Sequence, residues 1–93
     1  MDTCWAAVIQ ECGSGFDRTV ELADNLDWYA VAMAGETAMS KSANGSCSVT
    51  LLNDGIEIQT LYPKGRDSER RAWAMADVIT KLKQARDADQ GKG

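Results

Sequence analysis

Between the runs 46–52 and 56–62 stands Asn53-Asp54-Gly55, and no other stretch of this chain constrains its fold as much. An Asp-Gly pair accepts the positive backbone angles of a two-residue turn, so the flanking runs are read as the arms of an antiparallel hairpin over 46–62. In the second arm Ile56, Ile58 and Thr60 fall on one face and Glu57 and Gln59 on the other, the alternation of a half-buried strand. A lone hairpin is marginal in water, so a helix or a third strand has to lie against it. The segment from Trp5 to Glu11 is the candidate strand. There Cys4, Ala6 and Val8 set against Trp5, Ala7 and Ile9 give no polar contrast, and helix and strand both fit.

Two helices complete the expected layout. The first spans about 17–33, with Leu22, Leu26, Tyr29 and Met33 at steps of four, three and four on its buried side. Opposite them Asp17, Glu21 and Asp24 form a column, with Asp27 at its edge and Trp28 beside it. The apolar run 29–34 reads as a buried helix end, or as a strand if the helix stops at Asn25. Residues 36–45 read as turn, loop or a short edge strand. The second helix spans about 68–86, after the break at Pro63 and with Asp67 as its N-cap. Ala72, Met75, Ala76, Ile79 and Leu82 mark its core side, Trp73 flanks them, and a frayed tail follows from about 87. The expected fold class is therefore α+β: one domain over 1–93, a small antiparallel sheet packed against two helices, without internal repeat.

The composition excludes several chemistries. The chain has no histidine, which removes the commonest general base, the Ser-His and Cys-His nucleophile pairs and the usual zinc ligands. Cys4, Cys12 and Cys47 lack CxxC spacing and are expected to be reduced structural thiols. Gly13 and Gly15 are followed by Phe16-Asp17-Arg18, not by the Lys-Ser/Thr of a phosphate-cradling loop. Asp24 with Asp27, and Asp87 with Asp89, lack the ligand-spaced series of a metal loop. No catalytic residue, metal or cofactor is expected. No apolar run approaches the roughly 20 residues of a bilayer crossing, and Met1-Asp2-Thr3 lacks the basic start of a signal peptide, so the expected location is cytoplasmic with no membrane partner.

Charge is sorted along the chain. Residues 1–63 carry nine acids and two bases, and residues 64–93 carry eight bases and five acids, which conceals a polar molecule behind a net −4. Two candidate partner surfaces follow. One is Asp17, Glu21, Asp24 and Asp27 with Trp28, an aromatic anchor among steering carboxylates that suits a larger protein or complex with a basic surface. The other is the basic patch Lys64, Arg66, Arg70 and Arg71; bases at a helix start oppose the helix dipole, so helix stability alone does not select them. That patch could pair with the acidic column of a second copy, giving a homodimer, or bind nucleic acid. The interspersed acids and a pI near 4.6 argue against nucleic acid as the partner.

In its shortness, acidity, lack of histidine and α+β layout, the chain resembles small inhibitors encoded by bacteriophages and other mobile elements, such as anti-CRISPR proteins. The resemblance implies a mechanism in which an acidic face occupies a basic nucleic-acid channel on a larger target, as phosphates would. The sequence-based expectation is thus a non-enzymatic protein-binding module, an inhibitor or accessory factor, with a self-associating subunit and a nucleic-acid binder as the alternatives.

Overall fold

A computed structural model describes residues 4–11, 17–24, 26–42, 45–63 and 75–91 of the chain. They form the order β1 (Trp5–Glu11), β2 (Asp17–Glu21), α1 (Asp27–Lys41), β3 (Cys47–Asn53), β4 (Ile56–Leu61) and α2 (Met75–Gly91). The fold is α+β, a four-stranded antiparallel sheet of order β2-β1-β3-β4 packed against two helices. The element order is a ββα unit used twice, although the sequence shows no repeat. The antiparallel β1–β3 pair joins the two units at the centre of the sheet.

The hairpin forms where the turn residues place it. Asp54 and Gly55 adopt φ of 52° and 81°, and Asn53 pairs with Ile56 across the turn. Two successive positive φ values are the geometry that matches the twist of a hairpin. Asp54 also closes the end of β1: its amide donates to the Cys4 carbonyl at 2.7 Å, and its carboxylate accepts from the Cys4 amide at 2.9 Å. The segment whose periodicity fitted either structure is a strand, because β3 and β2 both pair with it.

One face of the sheet is covered. Trp5, Ala7, Ile9 and Val20 meet Val49 and Leu51 on that face, under Trp28, Val31, Ala34 and Ala38 of α1 and Met75, Val78 and Leu82 of α2. Burying these side chains supplies the main drive to fold. At Gly35 the missing side chain leaves room for the tip of the Met75 side chain, which a Cβ there would run into.

The first helix departs from its expected place. Residues 17–21 are the edge strand β2, and the helix runs ten residues later, to Lys41, through 36–41 rather than ending before them. Its buried stripe is Trp28, Val31, Ala34, Gly35 and Ala38, whereas Leu26, Tyr29 and Met33, expected in the core, are exposed. Small residues give a weak hydrophobic signal, yet they are what close helix packing uses. In α2, Met75, Val78 and Leu82 are buried and Ala76 is exposed, and the helix continues past Arg86 to Gly91 because no breaker intervenes. The expected N-cap Asp67, together with Ala72 and Trp73, lies outside the described residues.

The alternation expected in β4 is also broken. Leu51 pairs with Gln59 but Leu52 with Glu57, so Ile58 is an extra residue in a β-bulge. The bulge moves Glu57 onto the same face as Thr60, whose hydroxyl donates to the Glu57 carboxylate at 2.8 Å.

Candidate functional site

The second face of the sheet, free of helices among the described residues, carries the acids that the sequence singled out at positions 17 and 21. Paired residues share a face, so the register gives three rows across it. Glu21, Ala6, Leu52 and Glu57 form the first, Thr19, Val8, Thr50 and Thr60 the second, and Asp17, Gln10 and Ser48 the third. At a strand spacing near 4.8 Å the first row sets carboxylates on its two edges about 14 Å apart, with small and apolar residues between them. Thr50 and Thr60 hydroxyls lie 3.0 Å apart, and since Thr60 donates to the Glu57 carboxylate, Thr50 donates to Thr60. No base stands in these rows, and among the described residues no hydrogen bond or ion pair engages the side chains of Asp17, Thr19 or Glu21.

A hollow of about 370 Å³ opens at the end of this face, lined in part by Cys4, Ala6, Thr19, Glu21, Leu52 and Gly55. Its origin is local. Ala6 stands between the longer Glu21 and Leu52, and the turn supplies Gly55, so small residues leave a depression among larger ones. Cys4 is exposed there and outside any disulfide.

The other expected site residues have different places. Asp24 and Asp27 do not continue a column. The Asp24 carboxylate accepts from the Leu26 amide at 2.8 Å, and the Asp27 carboxylate accepts from the amides of Ala23 at 2.7 Å and Asp24 at 2.9 Å. They tie the β2–α1 connection and favour the helix start, where negative charge suits the dipole. Trp28 is 2% exposed, with the Arg86 guanidinium carbon 5.6 Å from its ring centroid. It anchors the core and not a partner, because the true helix phase turns it inward. Lys64, Arg66, Arg70 and Arg71 lie outside the described residues, as does Cys12. Glu57 was missed, because strand alternation alone puts it on the wrong face and nothing in the sequence signals the bulge.

Among the described residues no group of three or more His, Cys, Asp or Glu side chains is placed to hold a metal ion, and no helix is long and apolar enough to cross a membrane. Comparison with family models, with curated proteins and with solved structures finds no match. Function therefore has to be read from the chain's own geometry. What that geometry offers is a sheet face with carboxylates on both edges, apolar between them in its first row, polar in its third, and concave at one end.

Proposed function

We propose that this chain is a non-enzymatic binding module that lays the open face of its sheet on a basic surface of a larger protein. It acts there as an inhibitor or accessory factor, in the manner of a small phage-encoded protein occupying a nucleic-acid channel in the cytoplasm. The observation that carries this reading is the arrangement of Asp17, Glu21 and Glu57 around the centre of that face, with no base in its rows. Carboxylates at the edges steer a cationic surface into place, and Ala6, Val8 and Leu52 between them give apolar contact area once water leaves. The Asp17 and Glu21 side chains have no partner among the described residues, whereas Asp24 and Asp27 are engaged by backbone amides and need no outside partner.

The test is an affinity capture from a nuclease-treated bacterial lysate at low and high salt, comparing the wild-type chain with an Asp17→Lys, Glu21→Lys, Glu57→Lys variant. The expected result is a complex held by the wild type at low salt, weakened at high salt and absent from the variant, whose unfolding midpoint stays within the range of ordinary surface substitutions, about 0.5 kcal/mol per site. Equal capture by the reversed variant would sink the reading.

A further inference from the structure

We infer that the hollow at the end of the open face is the seat for one arginine side chain of the partner. This rests on the acidic-face reading above and deepens it. Three features of the hollow select such an occupant. Its volume, about 370 Å³, lies in the range of pockets that take a small molecule or an anchoring side chain. Its lining is mainly apolar, with Ala6 and Leu52 side by side on adjacent strands and Trp5, Leu22 and Ala23 completing it. Its acceptors stand on one side, where the Glu21 carboxylate and the Thr19 hydroxyl project from alternate positions of β2 without a partner among the described residues.

Charge complementarity decides which side chain fits. An apolar anchor such as leucine would use the apolar lining and leave Glu21 to be desolvated without compensation. A lysine ammonium is compact and strongly hydrated, and it would lose that hydration over Ala6 and Leu52. A guanidinium is planar and weakly hydrated, so it lies on an apolar lining while its fork donates to a carboxylate and a hydroxyl at one edge. The aliphatic stem then covers Leu52, as long basic side chains do over apolar surface. Cys4 sits at the rim as an exposed thiol, so an occupied hollow shields it.

The experiment titrates the ¹⁵N-labelled full chain with N-acetyl-arginine methylamide, with the lysine and norleucine derivatives alongside, and follows backbone amides. The arginine derivative is expected to shift the amides of Ala6, Thr19, Glu21 and Leu52 in a saturable way and to slow alkylation of Cys4 in a Cys12→Ser background. Glu21→Gln, which keeps the shape and removes the charge, weakens that binding about tenfold, the loss of one charge-assisted hydrogen bond. Ala6→Phe fills the hollow and abolishes it, and the amide spectrum itself reports that each variant is folded. Norleucine binding as tightly as arginine, or no saturable shift at those four amides, overturns the assignment. A hexa-arginine peptide separates the two levels. If the open face holds it and the Asp17, Glu21, Glu57 reversal releases it while the single arginine derivative leaves the four amides unmoved, the acidic-face reading stands and the seat falls. If neither probe binds, both fall.

Discussion

The acidic residues of the first half divide by what their oxygens touch. Asp17 and Glu21 point from an edge strand to solvent, while Asp27 accepts two backbone amides at the start of α1. Asp27→Ala should therefore cost about 1 kcal/mol, the usual net loss when a side chain stops accepting from backbone amides, and Asp17→Ala almost nothing. Urea unfolding of the two variants checks this, and equal midpoints would contradict it. Asp54 holds a second such role. It sits at φ 52° and clamps Cys4 through both backbone and side chain. Asp54→Ala places a Cβ without a local hydrogen bond in the left-handed region, at about 1–2 kcal/mol, and deletes the bond to the Cys4 amide. Asp54→Asn tolerates that region and keeps an acceptor, so it should stay within about 0.5 kcal/mol of wild type. If the two variants melt together, the turn is not what holds the end of β1.

At the scale of the element, α1 shows how size misleads periodicity. Leu26, Tyr29 and Met33 recur at helical spacing and are larger than Ala34, Gly35 and Ala38, so they dominate any reading of the pattern. The buried side nonetheless runs from Trp28 and Val31 to Ala34, Gly35 and Ala38, and only its second half is built of small residues. Tyr29→Ala and Met33→Ala should each change stability by no more than about 0.5 kcal/mol, whereas Leu82→Ala on α2 should cost about 2–5 kcal/mol. Gly35→Leu tests this contact directly, since it drives a side chain into the place of the Met75 tip and should cost about 1–3 kcal/mol through overpacking. A stable Gly35→Leu variant would mean that the Met75 side chain swings aside without loss. The acids at positions 17 and 21 illustrate a different degeneracy. A separation of four puts two residues on one face of a helix and of a strand alike, so their kinship was legible while the element that carries them was not.

For the whole molecule, the arrangement predicts cooperativity. Each ββα unit on its own holds a two-stranded ribbon and one helix, which is marginal, and the β1–β3 pair makes one sheet of the two. Far-ultraviolet circular dichroism and tryptophan fluorescence should therefore report a single coincident unfolding transition, with Trp5 and Trp28 both in the shared core. Two separated transitions would show that the units fold apart. The same closure places the acids. Among the described residues both helices lie on one face and none on the other, and the three acids of that other face come from β2 and β4, the two edges of the sheet.

The fold class, the hairpin with its Asp-Gly turn, the strand character of the second arm and the presence of two helices were legible in the amino-acid order. These depend on local backbone preference and on short-range patterning, which neighbouring residues fix among themselves. The edge-strand pairing of residues 17–21, the buried side of α1 and the placing of Glu57 on one face with Asp17 and Glu21 came from contacts between elements. Strand pairing, helix phase and the bulge at Ile58 depend on what each element packs against, and no single element's own sequence contains the energy that selects among the alternatives.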